Sequence, residues 1–362
     1  MKKSLKVNLE TLQQKAKERT VRTQTVEYDL ETIVKKVDKQ VIKLNPEYQR
    51  RHRWDIPTAS RLIESLILNI PVPFIYISQD VDVDDEVEEG IARYSVIDGQ
   101  QRLTAIFNFF KNDFALQDLE VLETLNGCRY ADLPSFLVRR LEERSIKCLR
   151  IDSTLDQQVK YDIFERLNSG SVKLEPQELR NATCRGPFKD LSLKLAKLKP
   201  FREMSNLTED SKRLKKMEDV ELVLRYFAIN YQDGYLQYKG GFKKFLTQKM
   251  VEFNSLDSAA LLDFETDFVA IISYLKQQNI AHPFAKYRVD KNDTLEQMST
   301  FNVAVFDAAI AFYRESLKRG GANKEFTEIF RDPEFFAAVE GSTNDVKKLV
   351  TRVSKAIELA RK

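Results

Sequence analysis

The hydrophobic pattern of this chain changes character once along its length, and this change limits the folds it can adopt. Short runs rich in β-branched and aromatic residues stand at 41–44, 73–78, 93–99 and 145–152. Beyond Gly186 and Pro187, apolar residues recur almost entirely at the three- and four-residue spacings of helices. The pattern therefore predicts an α+β fold, in which a small mixed sheet with helices is followed by an all-helical domain.

Local composition places the boundaries of these parts. We predict a basic, polar N-terminal arm over residues 1–26, a mixed domain over 27–186 and a helical domain over 187–362. An acidic run at 80–89 separates two of the strands, and we interpret it as an exposed hairpin loop. The predicted helices lie at 28–37, from residue 56 to the late 60s, after residue 99, at 157–167, from about 176, and at 191–198, 219–230, 256–277, 301–317 and 345–360.

Several protein classes are excluded by composition. No apolar run approaches the roughly 20 residues of a membrane-spanning helix, and no signal peptide follows Met1, so we expect a cytoplasmic protein without membrane contact. Three scattered cysteines, without a C-x-x-C pair, indicate neither a disulfide framework nor a thiolate zinc site. His52 and His282 alone are too few for an HNH-type nuclease centre. Any catalysis must rely on carboxylates, amides and arginines.

The segment VIDGQQRLTAIFNFF at 96–110 carries the main candidate site. A strand delivers Asp98 to the start of a helix, where free backbone N–H groups and the helix dipole favour an anion such as phosphate. Gly99 permits the turn, and Gln100, Gln101 and Arg102 place two amides and a guanidinium in the first helical turn. Asp98 is the candidate ligand for Mg²⁺ or orienting group for an attacking water.

A purely structural interpretation fits the same residues. Asp98 and Gln101 have the spacing of a capping box, in which each side chain satisfies a backbone N–H group of the other. Capping needs only one of the two glutamines and no arginine. The presence of both glutamines and the arginine therefore favours a phosphate site, although it does not exclude a cap.

A second charged feature lies upstream. The R-R-H-R run places Arg51, His52 and Arg53 directly after Arg50, in an N-terminal region richer in basic than in acidic residues. These side chains are candidate contacts for nucleic-acid phosphates, although a solvated surface is the more common explanation of a charge run.

Three sequence blocks resemble the GmrSD-type restriction endonuclease N-terminal domain family, whose core resembles the ParB/sulfiredoxin fold. The central block is DGQQRLT at 98–104, preceded by two apolar strand residues. The flanking blocks are YQR at 48–50 with Trp54 and IPVP at 70–73, and FERLNSG at 164–170 with Leu174 and ELRN at 178–181. A weaker likeness continues at KMED, residues 216–219.

The resemblance implies a role in bacterial defence against foreign DNA, with binding and hydrolysis of a nucleoside triphosphate that control a DNA-cutting partner. It implies that Asp98, Gln100, Gln101 and Arg102 form the catalytic centre, with a Mg²⁺ ion on Asp98. The nucleotide- and phosphate-binding residues that it implies are Gln49, Arg50, Gly99, Thr104, Asn168 and Arg180. Because the sequence holds two histidines, we expect any HNH nuclease to be a separate protein.

Three functions remain open from the sequence. The first is a Mg²⁺-dependent nucleoside triphosphatase that acts as the sensor or regulator of a restriction or anti-phage system. The second is a DNA-binding or nicking module whose pocket receives a DNA phosphate. The third is a scaffold that binds nucleotide without hydrolysing it and docks a separate nuclease. The sequence is compatible with an oligomer in each case.

Overall fold

The computed structural model describes residues 23–44, 54–79, 94–151, 161, 165–166, 175–321, 324–341 and 344–362. The chain divides into two compact units, residues 1–174 and 175–362. This division lies before the helix at Pro176–Thr183, whereas the prediction placed it after residue 186. Most of the predicted arm, the acidic loop at 80–89 and most of the helix predicted at 157–167 lie outside the described residues.

The first unit combines five strands with four α-helices over its described residues. The strands are β1 (Thr23–Asp29), β2 (Ile42–Lys43), β3 (Ile75–Gln79), β4 (Tyr94–Asp98) and β5 (Ser145–Ile151). The helices are α1 (Leu30–Asp38), α2 (Ile56–Ile67), α3 (Gln100–Phe110) and α4 (Ser135–Glu142), with 3-10 turns at Glu123–Leu125 and Tyr130–Asp132. Strands β2 to β5 and helices α1 to α3 confirm the predicted elements there.

The five strands form one mixed sheet in the order β1-β5-β3-β4-β2. β3 lies between β5, which it pairs in parallel, and β4, which it pairs antiparallel. This arrangement places the end of β4 beside the start of β3. The mixed sheet and its helices confirm the predicted α+β fold.

Strand β1 is the element of this sheet that the sequence did not indicate. Residues 23–26 were assigned to the polar arm, yet they pair antiparallel with β5, and Thr23 lies opposite Ile151. β1 is an edge strand whose side chains are mostly exposed, so it lacks the apolar alternation that identifies a strand in sequence. Its position depends on backbone hydrogen bonds to β5.

The helices of the first unit bury one apolar face each. α2 begins as predicted, since the Asp55 carboxylate accepts a hydrogen bond of 2.9 Å from the backbone N–H of Thr58, and Pro57 lies in the first turn. Ile63, Leu103 and Phe109 are fully buried in the core that α2 and α3 share with the sheet. This packing fixes the start of α3, where the candidate site lies.

A buried carboxylate holds a loop of the same unit against α2. Glu64 is 5% exposed and accepts backbone hydrogen bonds from Val121 (2.8 Å), Leu122 (2.7 Å) and Glu120 (3.3 Å). Burial raises the pKa of Glu64, but these three N–H donors lower it more, so its pKa lies below the usual value for a glutamate. The ionised form is therefore the one that stabilises the fold.

The second unit is mainly helical over its described residues. Its α-helices are α5 (Pro176–Thr183), α6 (Pro187–Leu195), α7 (Lys199–Met204), α8 (Lys212–Lys215), α9 (Glu218–Asn230), α10 (Gly234–Gln237), α11 (Phe242–Asn254), α12 (Ser258–Gln277), α13 (Val303–Lys318), α14 (Pro333–Ala338) and α15 (Val346–Arg361). Short 3-10 helices lie at Tyr231–Asp233 and Phe326–Arg331. None of the described helices of either unit is long and apolar enough to cross a membrane.

The expectation of an all-helical second domain is wrong in one respect. Strands β6 (Lys286–Val289) and β7 (Leu295–Ser299) form an antiparallel hairpin. The Asp290 carboxylate closes the turn by accepting from the backbone N–H groups of Asn292 (2.9 Å) and Thr294 (2.7 Å). The hairpin strands are largely exposed and polar, so no apolar alternation indicated them.

We expect Glu64→Gln to lower the free energy of unfolding by about 1–3 kcal/mol at pH 7, because the amide loses the charge that three N–H groups stabilise. Since the folded pKa of Glu64 is depressed, its stabilisation is present above the unfolded-state pKa and is lost as the pH falls through the folded pKa. Urea unfolding at pH 7 and in acid should therefore show the difference between variant and wild type shrinking in acid.

Glu120→Gln is the matched control, because the Glu120 side chain is 67% exposed and, among the described residues, forms a surface ion pair with Arg61 alone. It should change the unfolding free energy by less than about 1 kcal/mol. Two results would contradict the role given to Glu64. One is an equal loss of unfolding free energy in Glu64→Gln and Glu120→Gln, and the other is a loss in Glu64→Gln that does not change with pH.

Candidate functional site

The candidate site lies at the junction between β4 and α3. β4 ends at Asp98, Gly99 turns the chain, and α3 begins at Gln100. On the neighbouring strand, Tyr76 lies opposite Asp98, next to an irregularity in the register between Tyr76 and Ile77. The predicted junction between strand and helix is confirmed at the residue where the sequence placed it.

Gly99 is needed for both its conformation and its lack of a side chain. Its φ of 90° lies in the left-handed region that residues with a Cβ rarely adopt. A Cβ at this position would lie 3.0 Å from Cγ1 of Ile75 and 3.3 Å from Nη2 of Arg102. The glycine therefore allows β3 and the Arg102 guanidinium to approach the turn closely.

Arg102 joins the junction to the segment before β3. Its Nη2 donates to Oδ2 of Asp98 at 3.1 Å, and its Nη1 donates to the backbone carbonyl of Pro73. The Arg102 side chain is 12% exposed, whereas that of Asp98 is 41% exposed. Burial lowers the pKa of Arg102, and the Asp98 carboxylate partly offsets this by raising it. Arg102 thus orients a carboxylate that still faces solvent.

Gln101 and Asp98 do not form the capping box that the sequence also allowed. Gly99 occupies the N-cap position of α3 and provides no side-chain hydrogen bond. The Gln101 Oε1 instead accepts a hydrogen bond of 3.2 Å from the backbone N–H of Trp54, just before α2. The capping interpretation is wrong because Gln101 bonds to the distant Trp54, while Asp98 bonds to Arg102 in the first turn of α3.

Gln100 is the unusual side chain of the junction. It is 7% exposed, and its Nε2 is buried without an acceptor among the residues that the structure describes. A buried donor that lacks a partner costs free energy, which a bound acceptor would recover. The first turn of α3 also has no side-chain cap on its N–H groups. Together these donors form a local environment suited to an anion.

The remaining predicted site residues fall into three groups. Thr104 lies half-buried on α3, one turn from the junction. Arg180 lies in the second unit, where its buried guanidinium donates to Gln177 Oε1 at 2.8 Å and forms an ion pair with Glu221. Predictions for Gln49, Arg50, Arg51, His52, Arg53 and Asn168 fall outside the described residues. The binding roles of all these residues stay predictions.

Sequence reasoning missed the backbone partners of the motif. The Pro73 carbonyl and the Trp54 N–H group each hold one motif side chain in place. Trp54 and Pro73 both belong to sequence blocks that resemble the family. That resemblance was the only indication in the sequence that these residues contribute to the site. Backbone groups carry no residue identity, so composition and spacing gave no indication of these contacts.

Among the described residues of the junction, Asp98 is the candidate metal ligand. Among the described residues, no group of three or more His, Cys, Asp or Glu side chains is placed to hold a metal ion. Mg²⁺ commonly binds through one or two carboxylates, phosphate oxygens and waters rather than a full protein cage. The partly exposed Asp98 carboxylate is compatible with that coordination habit.

The fold and the junction define an α+β domain with a carboxylate, buried donors and a helix N-terminus at one turn. Residues 30–184 match the family described as GmrSD restriction endonuclease, N-terminal domain. The match confirms the resemblance that the motifs predicted for this part of the chain. It relates residues 30–184 to components of restriction systems. A search of curated proteins found no match.

Replacing Gly99 by alanine should destabilise the protein by more than the same change at Gly127. Both glycines have positive φ, 90° and 87°, so both variants carry the left-handed strain of roughly 1–2 kcal/mol. Only at Gly99 would the new Cβ also crowd Ile75 and Arg102, while nothing lies within 4 Å of one at Gly127. Urea unfolding of both variants measures the difference, and equal losses would contradict the crowding.

Proposed function

We propose that the junction binds and hydrolyses a nucleoside triphosphate, and that this activity regulates the restriction response. The observation that supports the proposal most is the buried Nε2 of Gln100, which has no acceptor among the described residues and belongs to the uncapped first turn of α3, two residues after Asp98. A phosphate group supplies the acceptors for these donors. Asp98 supplies the charge that a phosphate-bound Mg²⁺ requires.

The chain's own residues take separate parts in this proposal. The N–H groups of α3 and the Gln100 amide bind phosphoryl oxygens and stabilise the charge that develops on them. Arg102 already uses two of its nitrogens on Asp98 and Pro73, so its first task is to hold Asp98 in place. Mg²⁺, held by Asp98, would neutralise phosphate charge when bound. Gln101 links this centre to the chain at Trp54.

The match of residues 30–184 to a restriction-system family supports the regulatory role. In this proposal foreign DNA is the trigger and a nuclease is the effector. Nucleotide turnover in this proposal reports the presence of DNA to that nuclease.

Phosphate release from each of the four ribonucleoside triphosphates with Mg²⁺, with and without DNA, tests the proposal. Asp98→Asn should reduce release by at least about 100-fold, because electrostatic groups of this kind contribute at that scale. Asp113→Asn is the control, since Asp113 is an exposed aspartate just beyond the other end of α3. It should hydrolyse at the wild-type rate.

Two outcomes would overturn the proposed activity. Nucleotide binding by the wild-type protein without product would favour the non-hydrolysing scaffold. Neither binding nor release, with or without DNA, would reject the nucleotide site altogether. Circular dichroism of Asp98→Asn separates loss of activity from loss of fold.

Gln100→Met separates a ligand-binding amide from a structural one. Methionine has a similar volume and no donor, so it removes the unpartnered Nε2. We expect the ligand-free variant to be as stable as wild type or more stable by up to about 1 kcal/mol. It should nevertheless lose the rise in melting temperature that nucleotide produces in wild type. A variant that is destabilised and still binds nucleotide would show that the amide has a structural role.

A further inference from the structure

A second candidate binding surface lies elsewhere on the first unit, on the exposed side of α4. We call it the arginine groove, a depression of about 390 Å³. Its principal lining residues are Asn69, Phe136, Arg139, Arg140, Glu143 and Arg144. None of these belongs to the motif at the β4–α3 junction.

The groove carries an excess of positive charge. Three guanidinium groups line it against the single carboxylate of Glu143. Among the described residues, Arg139, Arg140 and Arg144 have no ion-pair partner, whereas Arg61 and Arg102 of the same unit each pair with an acid. Unpaired guanidinium groups are suited to bind phosphates through two hydrogen bonds at once.

An aromatic ring lies beside these charges. Phe136 is 67% exposed, whereas Phe74, the other exposed phenylalanine among the described residues, is 37% exposed. It precedes Arg139 and Arg140 by three and four residues on α4, so the three side chains share one helix face. An exposed ring next to arginines is the arrangement that stacks an unpaired base while the phosphates are neutralised.

The groove and the motif junction contact the same short segment. Arg144 donates from Nη2 to the carbonyl of Ile70 at 3.4 Å, and its buried Nε has no acceptor among the described residues. Three residues further on, the Pro73 carbonyl accepts from Arg102. Residues 70–73 therefore connect the two surfaces within a single stretch of chain.

We propose that the arginine groove binds single-stranded DNA, with phosphates on Arg139, Arg140 and Arg144 and a base stacked on Phe136. DNA is the polyanion that a restriction-system protein meets, and the exposed ring favours an unpaired strand over a duplex. Binding at this groove does not depend on nucleotide hydrolysis at Asp98.

Fluorescence anisotropy of the full chain with a labelled oligothymidine, without nucleotide, tests the proposal over a series of salt concentrations. Arg139→Ala combined with Arg140→Ala should weaken binding about tenfold or more and reduce the salt slope by about 1–1.5, as expected for two lost phosphate contacts. Phe136→Ala should weaken binding about tenfold and remove the preference for the single strand.

The control combines Arg288→Ala with Arg319→Ala, which removes the same charge from two exposed arginines that pair with Glu296 and Glu315. It should bind the oligonucleotide like wild type. The groove variants should keep the wild-type melting temperature and the wild-type rate of phosphate release measured without DNA, so failure of this proposal is distinguishable from failure of the nucleotide site.

Three results would overturn the proposal. In the first, the double arginine variant binds as tightly as wild type. In the second, duplex is preferred and Phe136→Ala has no effect, which would make the groove a duplex backbone contact. In the third, poly-glutamate displaces the oligonucleotide from wild type at equal charge concentration, which would indicate an acidic protein partner instead.

Discussion

The geometry of the candidate site depends on one buried guanidinium. Arg102 connects the carboxylate at the end of β4 with the carbonyl of Pro73, on the segment that leads into β3. Because the guanidinium is largely removed from water, these contacts are less screened than a surface ion pair. The contact also requires Gly99, since a Cβ there would crowd Nη2 of Arg102. The turn and the arginine therefore form one structural unit.

This arrangement divides the motif residues by task. Three of the residues have structural roles. Gly99 forms the left-handed turn, and the side chains of Gln101 and Arg102 form hydrogen bonds within the first unit. Asp98 remains partly exposed, and Gln100 keeps a buried donor without a described acceptor. The junction thus combines side chains fixed by the fold with a solvent-facing carboxylate and a buried amide donor, an arrangement that electrostatic preorganisation requires.

The second unit is held together differently. Asp307 is fully buried between Arg225 and Arg352, both of which donate to its carboxylate. The core of this unit is rich in aromatic rings. Phe227 and Phe264, for example, are stacked with their ring centroids 4.4 Å apart. Breaking a buried ion pair on one side leaves an uncompensated charge, so these three residues are expected to be intolerant of substitution. Arg180 is engaged by a comparable contact with Glu221.

The sequence alone determined the elements with strong apolar periodicity, the strand-to-helix turn at Asp98 and Gly99, and the family, because each is a local pattern of residue types. It did not determine β1 or the β6–β7 hairpin. Their strands are exposed and polar, and backbone hydrogen bonds to the neighbouring strand stabilise them. Only the tertiary structure decided that Gln101 bonds to Trp54 rather than capping α3, and that Arg102 bonds to Pro73. These contacts join residues 29 or more positions apart, and no local pattern encodes which backbone group folding will bring to a side chain.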